Sequence, residues 1–419
     1  MEPELKSSHR IGANSFSRNR KLNFPTLIGL ILQKSVKSLQ IKLNEYFAYL
    51  EFETASASAF TQARANLSHG VFIELNKAAY GQAYYEESDF ETYKGHRLLA
   101  VDGSKVRLPD TAEITKEFGQ IRIKNQYGQD SYTGGLCSVL YDVLNEIVID
   151  GVLAPSSSSE VALAIEHTHG CQEDDLILFD RNYAGYALFA ILIAKNINFL
   201  CRCSTNAFRV VEDFIADATL QDTVVTLTPC KDLKAKVSRG ELPPQLQIRL
   251  VKILLSTGEI EILATSLIDQ QKYPLPDFKE LYAMRWNIET LYNRFKNRLA
   301  LENFTGYTLE AVRQDFYATI LISNVESEIT ADADKALGKK QSKNKYPQKV
   351  NKNISYNAIK THVFELLQCS DIDNERLIKK LHALFIKNPI PIRLGRSSPR
   401  DSSTRRSLNF HKRSKKCVF

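Results

Sequence analysis

The sequence predicts an α/β protein in which a mixed β-sheet is flanked by helices, with further helical regions before and after it. Between residues 97 and 204, strand-length apolar segments alternate with helical patterns in the order β-β-β-α-β-α-β. From about residue 25 to 95, and again after 273, apolar residues recur mainly every three or four positions, which is typical of helices. An antiparallel meander followed by helical crossovers produces a mixed sheet covered by helices.

Changes in this pattern divide the 419-residue chain into seven predicted parts. They are a disordered N-terminus (1–24), a helical region (25–95), the first part of a core (96–204), a β-rich insertion (205–272), the second part of the core (273–327), a helical C-terminal region (328–390) and a basic tail (391–419). The length allows a large core and two or three domains.

The predicted elements of the core have clear local signals. The segment RLLAVDGSKVRLPD is typical of a strand that ends in turn residues, and GGLCSVLYDVLNEIVIDGVLAP of two strands joined by a turn near Asn145. The segment SSEVALAIEHTHG predicts a helix with serine caps. In the insertion, DTVVTLTPC and QLQIRLVKILLSTGEIEILATSL predict short strands, and no helix is predicted there.

The charge balance favours a polyanionic partner. The net charge is +7, and the tail after Ile392 holds nine Lys and Arg residues against one acid, Asp401. Such a tail should be disordered alone and attracted to phosphates. The SASAFTQARANL segment offers Gln62 and Arg64 as further phosphate contacts, although a plain helical bundle explains it equally well.

Other features favour a cytoplasmic protein. The N-terminal segment lacks the apolar core of a secretory signal, and the longest apolar run, ALFAILIA (187–194), is too short to span a bilayer. The seven cysteines are scattered and form no C-x-x-C pair, which favours small core residues in a reducing compartment.

Two acidic residues stand out by position. Asp102 follows the apolar strand LLAV and Asp180 follows LILF, and ligands of such sheets bind outside the carboxyl ends of strands. Either residue alone could be a simple turn residue. Asp142 is a competing candidate, but a hairpin position explains it equally well.

A stripe of polar residues lies on the predicted helix LYAMRWNIETLYNRFKNRL (281–299). Tyr282, Arg285, Glu289 and Lys296 fall within about 60° of one another on an ideal helix. A solvated stripe with an i,i+4 ion pair is the simplest interpretation. The neighbouring stripe is apolar and should pack against the core; it consists of Leu281, Met284, Ile288, Leu291, Phe295 and Leu299. Glu289 thus lies at the edge of the buried face.

Together these segments resemble the DDE transposases of bacterial insertion sequences, in the branch named after insertion sequence 4. Its Y-x2-R-x3-E-x6-K signature is matched without a gap by Tyr282, Arg285, Glu289 and Lys296. VDGSKVRLPD is similar to the first-Asp segment, FDRNYAGY to the second-Asp segment, and SASAFTQARANL to the N-terminal helical region. The resemblance covers roughly residues 35 to 325.

The resemblance implies an RNase H-like core interrupted by a β-rich insertion domain. Asp102, Asp180 and Glu289 would be the catalytic carboxylates, and hard oxygen ligands suit Mg²⁺ or Mn²⁺. A two-metal site then requires the three carboxylates within a few ångströms of a shared ion. The helical region 25–95 would bind DNA, and the partners would be transposon ends and target DNA, with a homodimer in the synaptic complex.

The resemblance also implies that Tyr282, Arg285 and Lys296 contact DNA phosphates. Separate predictions concern two neighbouring residues, Arg181 and Trp286. Arg181 could bind phosphate or form a structural salt bridge. Trp286 could stack on a displaced base, with core filling as the favoured alternative. Tyr183 is expected to serve packing.

Two other functions remain open at this point. One is a metal-dependent nuclease with the same core and no strand transfer. The other is a non-catalytic DNA-binding regulator derived from a transposase, whose sequence mark would be the loss of one carboxylate. All three carboxylates are present, so a transposase that cuts and joins DNA is the preferred interpretation.

Overall fold

The computed structural model describes residues 2–393, apart from 19, 36, 88, 126–127, 256–257, 340–344 and 369–370. The predicted basic tail (391–419) therefore lies almost entirely outside the described residues. Within these described residues, no helix is both long and apolar enough to cross a membrane.

The N-terminal region is helical, as predicted. Its helices are α1 (Glu2–His9), α2 (Phe24–Leu32), α3 (Leu39–Tyr49), α4 (Ala57–Arg64), α5 (Gly70–Asn76) and α6 (Tyr84–Glu87), with a π-helical turn (Lys77–Ala83) joining the last two. Helix α2 begins at the cap Asn23, whose side chain accepts a hydrogen bond from the Thr26 amide, and it is buried along its whole length.

The prediction of a disordered segment over 1–24 is wrong for the residues that the structure describes. Helix α1 occupies the start of it, and His9 Nε2 lies 2.6 Å from Glu74 Oε2 on α5. The backbone of Ile11 also donates to the Asn66 carbonyl at 2.8 Å. These contacts to a distant part of the chain fix a segment whose polar composition predicts no structure.

The core contains strands β1 to β6 and three helices. In chain order these are β1 (Leu98–Arg107), α7 (Ala112–Phe118), β2 (Gln120–Asn125), β3 (Gly128–Asp142), β4 (Ile147–Pro155), α8 (Glu160–His167), β5 (Leu176–Phe179), α9 (Tyr186–Ala194) and β6 (Asn198–Cys203). Elements α7 and β2 were not predicted. Their signals are short: Thr111 caps α7 by accepting from the Ile114 amide, and Gly119 ends it at a φ of +82°.

The sheet is mixed, as predicted. Strand β1 pairs antiparallel with β3, β3 pairs antiparallel with both β2 and β4, and β5 and β6 follow β1 in parallel. The resulting order β4-β3-β1-β5-β6 is consistent with an RNase H-like core. Asp142 closes the β3–β4 hairpin by accepting from the Leu144 and Asn145 amides, so the hairpin explanation of this residue is confirmed.

The segment 205–272 extends this same sheet. Its strands are β7 (Asp222–Leu227), β8 (Leu246–Leu254) and β9 (Ile260–Thr265), and β9 pairs antiparallel with β6. The predicted strands are present. The structure adds two helices that were not predicted, α10 (Arg209–Ala216) and α11 (Lys234–Ser238).

The remainder of the chain is mainly helical, as predicted. It comprises α12 (Asp277–Ala283), α13 (Trp286–Asn293), a π-helical turn (Arg294–Arg298), α14 (Leu309–Lys339), α15 (Lys352–Thr361), α16 (Val363–Gln368), α17 (Asp371–Lys387) and a small sheet of β10 (Gln348–Lys349) and β11 (Ile390–Pro391). Helix α14 spans 31 residues and packs against α2, α5, β4, α15 and α17, so it connects the N-terminal helices to the sheet.

Arg64 belongs to this connection and not to a phosphate-binding surface. Its guanidinium donates to Gln314 Oε1 at 2.6 Å and to the Ala311 carbonyl and Asp315 Oδ1 at 2.8 Å each. The side chain is buried, so the predicted availability of Arg64 for DNA is wrong. Gln62 is exposed.

The buried Lys34 and the half-buried Lys360 lie where α2 and α15 meet, and they predict a pH-dependent stability. Burial, with the neighbouring charges of Lys34 and Lys42, lowers the pKa of Lys360 to about 7, and its Nζ donates to the Lys34 carbonyl at 2.7 Å. Between about pH 7 and 10.5 the folded state therefore holds fewer protons than the unfolded state, so the free energy of unfolding rises with pH.

Replacing Lys360 with Met should raise the free energy of unfolding at pH 7 by about 1–3 kcal/mol, after the loss of one hydrogen bond. The slope of the free energy of unfolding against pH should also decrease, by an amount that corresponds to at most one bound proton. Urea unfolding from pH 6.5 to 9.5 measures both effects. Lys379→Met, at an exposed ion pair on α17, is the control and should change neither. An unchanged slope in Lys360→Met would contradict the assignment.

Candidate active site

The register of β1 and β5 predicts that Asp102 and Asp180 lie side by side on one face of the sheet. The parallel register of β1 and β5 pairs Leu98 with Leu176 and Ala100 with Leu178. Continuing this register by two residues places Asp102 beside Asp180, and the period of two directs both side chains to the face of Ala100 and Leu178. That face is the one on which α13 packs, because the same apolar cluster includes Ile288, Leu291 and Phe295.

Asp102 occupies the middle of β1 and not its end, which corrects the prediction. The strand continues to Arg107 because its antiparallel partner β3 pairs with it as far as Gly134. Its parallel partner β5 ends at Phe179, so the sheet opens beside Asp102. At this opening Asp180 caps a short 3₁₀ turn (Arg181–Tyr183), accepting from the Asn182 amide at 2.8 Å. Asp102 Oδ1 accepts from the Gly103 amide at 2.8 Å.

The segment 281–299 is not one straight helix. It breaks at Met284 and Arg285, continues as α13 and ends in the π-helical turn, which changes the angular position of Lys296 relative to an ideal helix. The predicted packing face is confirmed, since Leu281, Ile288, Leu291, Phe295 and Leu299 are buried.

Helix α13 is attached to the sheet at the level of Asp102. The Tyr292 hydroxyl donates to the Asp102 carbonyl at 2.6 Å and to the Cys137 carbonyl at 3.2 Å. Arg294 donates to Glu146 Oε2 and to the Tyr141 hydroxyl, both at 2.7 Å. Glu289 lies on α13, one turn before Tyr292. The contacts of Tyr292 and Arg294 with the sheet therefore hold the helix of Glu289 near Asp102.

Glu289 is paired with Arg285 in this structure. Arg285 Nη2 lies 3.1 Å from Glu289 Oε1, and the Glu289 side chain is 37% exposed. Arg285 is only 6% exposed. Burial lowers the pKa of its guanidinium, but Tyr282, Glu289 and the charge of Asp102 outweigh this effect and raise the pKa. The predicted i,i+4 ion pair between Arg285 and Glu289 therefore exists. Its cation, Arg285, is buried and close enough to Asp102 to be affected by the charge of that carboxylate.

Tyr282 and Trp286 both lie close to the Arg285 guanidinium. Its carbon lies 4.8 Å from the Trp286 ring centre and 5.8 Å from that of Tyr282. Tyr282 is buried, and its hydroxyl has no hydrogen-bond partner among the described residues. Trp286 is 45% exposed, so the favoured expectation of core filling is wrong.

Lys296 and Arg181 lie at two edges of the same region. Lys296 Nζ donates to Ser104 Oγ at 2.8 Å and to the Lys105 carbonyl at 2.7 Å. Its ammonium group therefore lies against β1, two to three residues beyond Asp102. Arg181 is exposed directly after Asp180. The contacts of Tyr292 and Lys296 thus place the helix that carries most of the predicted site residues against β1, next to the point where β5 ends.

The electrostatics of this region suit a cation. Burial raises the pKa of Asp102 to about 6, and the negative charges of Asp180 and Glu160 add to the rise. A divalent cation between these oxygen ligands would offset the repulsion, and carboxylates are the ligands that Mg²⁺ and Mn²⁺ prefer. No three His, Cys, Asp or Glu side chains of the described residues are arranged to hold a metal, and Glu289 is turned toward Arg285.

Two further residues lie in this region: Glu160, which was not predicted, and Tyr183, which was expected to serve packing. Glu160, the first residue of α8, contacts β1 at Gly103, where an added Cβ would lie 2.7 Å from Glu160 Oε1. Tyr183 packs against Phe179, and burial together with the charges of Asp102 and Glu160 raises its pKa. The only local signal at Glu160 is the serine cap before it, which marks a helix start and no function.

Comparison with known proteins agrees with this arrangement. A family model described as the transposase DDE domain matches residues 93–325, which is more than half of the chain. The chain belongs to the DDE transposase family. Both proposed aspartates and the whole Tyr-Arg-Glu-Lys signature fall within the matched residues, and the resemblance to the branch named after insertion sequence 4 is confirmed.

Two relatives from Escherichia coli strain K12 place the chain within this family at low identity. The protein named Putative transposase InsZ is 23% identical over 190 residues, which cover 45% of this chain and 63% of InsZ. Transposase InsG for insertion sequence element IS4 is 23% identical over 273 residues, which cover 64% of this chain and 60% of InsG. The chain thus spans less than two thirds of the length of either relative.

Proposed function

We propose that this DDE transposase binds the terminal inverted repeats of its own insertion sequence, cleaves the ends and joins them to target DNA. The observation that supports the proposal is that Asp102 lies on β1 and Asp180 directly follows β5, its parallel neighbour, while Tyr292 attaches the helix of Glu289 to the Asp102 carbonyl. Carboxylates from three separate elements at one opening are suited to metal-assisted displacement at phosphorus. InsG is a transposase of an insertion sequence, which supports the same function here.

Asp102, Asp180 and Glu289 would hold Mg²⁺ or Mn²⁺ as the catalytic carboxylates. When bound, a pair of such ions activates a water or a 3′-hydroxyl and stabilises the leaving oxygen. The chain contributes the positions of its ligands. Asp102 lies on β1, Asp180 directly follows β5, and the contacts of Tyr292 and Arg294 fix α13. Because both reaction steps are in-line displacements at phosphorus, one set of carboxylates serves both.

Arg285 would exchange Glu289 for a DNA phosphate. Its Nη2 holds the carboxylate now, while its Nε is buried without a partner among the described residues. Once Glu289 turns to a cation, the guanidinium fork is left to bind phosphate oxygens in two-point fashion. Tyr282, whose ring lies against the guanidinium, would orient Arg285 and contact DNA only at its edge, since it is buried.

Lys296, Arg181 and Trp286 would contact DNA around the reacting phosphate. Lys296 and Arg181 supply charge on opposite sides of the opening, and the half-exposed Trp286 offers an aromatic face for an unpaired base. The helical region 25–95 would bind the transposon end, and two copies would assemble on a pair of ends. The positive net charge of +7 supports a DNA partner.

Replacing Lys296 with Met should weaken binding to duplex DNA of any sequence and reduce the salt dependence of binding. One lost phosphate contact lowers the slope of log K against log salt by about one. Fluorescence anisotropy with a labelled end at several salt concentrations measures the slope. Lys116→Met, at an exposed position of α7, should leave it unchanged. Equal slopes for Lys296→Met and wild type would remove Lys296 from the DNA interface.

The experiment that tests the function is an end-cleavage and strand-transfer assay. A labelled duplex carrying the element's own end is incubated with the protein, Mg²⁺ or Mn²⁺, and a supercoiled target plasmid. The proposal predicts cut ends and labelled joint products, both abolished by EDTA. Cutting without joining would support the metal-dependent nuclease, and binding without cutting under either metal would support the non-catalytic regulator.

A further inference from the structure

Glu160 reaches the proposed cation site from the opposite face of the sheet. Helix α8 begins at Ser159, whose Oγ accepts from the Ala162 amide at 3.4 Å, and Glu160 is therefore fixed at its first turn. The carboxylate lies over Gly103, where a side chain would collide with it: an added Cβ would be 2.7 Å from Oε1. Because β5 ends at Phe179, the sheet is open here, and groups from both faces can approach Asp102.

The Glu160 carboxylate has no hydrogen bond or ion pair to any residue that the structure describes. The charge of Asp180 acts on it more strongly than the opposing charge of Lys105. In addition to burial, the negative charges of Asp180 and Glu160 both raise the pKa of Asp102. A partly buried carboxylate that is repelled by the charges of two other carboxylates is unfavourable by itself, and a bound cation converts this repulsion into attraction.

Tyr183 provides an independent observation at the same place. Its side chain is 1% exposed, and its hydroxyl has no hydrogen-bond partner among the described residues. Asp102, Glu160 and Asp180 are the charged groups that act most strongly on this hydroxyl. Buried hydroxyls are nearly always hydrogen-bonded, so an unpaired one that is affected by the charges of three carboxylates indicates a ligand or an ordered water beside it.

We propose that Glu160 is a fourth carboxylate of the cation site and that the Tyr183 hydroxyl donates a hydrogen bond within it. Glu160 would bind the ion or one of its waters, which Mg²⁺ usually retains in proteins. Gly103 is then needed because any side chain would exclude Glu160 from the opening. This inference rests on the proposed function for the presence of a cation at Asp102 and Asp180.

A structural role for Glu160 predicts the opposite effect on metal-free stability. An acid in the first turn of a helix stabilises the helix, so a merely structural Glu160 would lower the melting temperature when it is neutralised. A fourth carboxylate instead repels its neighbours without the ion. Glu160→Gln should therefore raise the melting temperature of the metal-free protein and reduce the additional rise that Mn²⁺ produces.

The test measures Mn²⁺ binding to the full chain by electron paramagnetic resonance, together with melting temperatures with and without Mn²⁺. The proteins are wild type, Asp102→Asn, Glu160→Gln, Tyr183→Phe and Glu166→Gln. Glu166 lies exposed near the other end of α8, so its neutralisation is a matched control. We expect Mn²⁺ affinity to fall about 10- to 100-fold in Glu160→Gln, by a smaller factor in Tyr183→Phe, and not in Glu166→Gln.

The outcomes separate this inference from the proposed function. If Asp102→Asn weakens Mn²⁺ binding while Glu160→Gln binds as wild type does, the fourth carboxylate is refuted and the three-carboxylate site stands. A lower metal-free melting temperature in Glu160→Gln would also refute it. If wild type binds no Mn²⁺, or Asp102→Asn binds it equally well, the cation site itself is wrong and both proposals fail.

Discussion

Replacing Asp102 with Asn is expected to reduce end cleavage by about 10³-fold or more, equivalent to about 4 kcal/mol of transition-state stabilisation. Asn keeps the shape of the side chain and its contact with the Gly103 amide, but it removes the charge that would hold the cation. The loss should therefore appear in the rate of cleavage and not in the binding of the transposon end. Single-turnover cleavage and anisotropy measure the two quantities.

The same substitution has a second expected consequence. Burial and the charges of Asp180 and Glu160 disfavour the ionised Asp102, so the neutral Asn should leave the metal-free protein as stable as wild type or more stable. Asp232→Asn, at an exposed position far along the chain, should alter neither cleavage nor stability. Asp102→Asn that cleaves within tenfold of wild type would exclude Asp102 from catalysis.

Replacing Asp315 with Asn is expected to lower the free energy of unfolding by about 3–5 kcal/mol. Asp315 is fully buried, and its Oδ1 lies 2.8 Å from Nη2 of the equally inaccessible Arg64. Neutralising the acid leaves the guanidinium charged and uncompensated in the interior, which is the costly way to break a buried pair. Asp315 also accepts from the Thr305 amide at 2.6 Å, so the loop before α14 loses a contact.

Urea unfolding of the full chain measures this effect. Arg313→Ala, two residues away on the same helix, breaks a partly exposed pair with Glu117 and should change the free energy of unfolding by less than about 1 kcal/mol. A similarly small effect of Asp315→Asn would show that the connection between α4 and α14 contributes little to stability. A large effect would show that Arg64 is buried because its ion pair with Asp315 stabilises the fold, although its segment resembles a phosphate-binding one.

The sequence could predict those parts of the site that depend on local pattern. An apolar strand followed by Asp occurs twice, and the parallel register of β1 and β5 brings these two residues to one level. The burial of Ile288, Leu291 and Phe295 follows from helical periodicity in the same way. Each of these features needs only short stretches of chain and the period of a strand or a helix.

The features that could not be predicted depend on contacts between distant segments. Glu160 meets Gly103 across 57 positions of sequence, and neither residue carries a signal of the contact. Arg64 and Asp315 are 251 positions apart, so a basic residue in a DNA-binding motif and a structural ion pair look alike in sequence. The π-helical turn at Lys296 and the exposure of Trp286 likewise depend on how α13 meets β1.

Transposition by this protein, as proposed, depends on a site in which Asp102, Asp180 and Glu289 together bind divalent cations. Anomalous diffraction from crystals of the protein bound to its transposon end and Mn²⁺ tests it directly. We expect an anomalous peak at the opening between β1 and β5, with oxygens of all three carboxylates about 2.0–2.6 Å from the ions and Glu289 released from Arg285. A peak that Asp102 and Asp180 do not contact, or Glu289 still paired with Arg285 beside a bound ion, would contradict it.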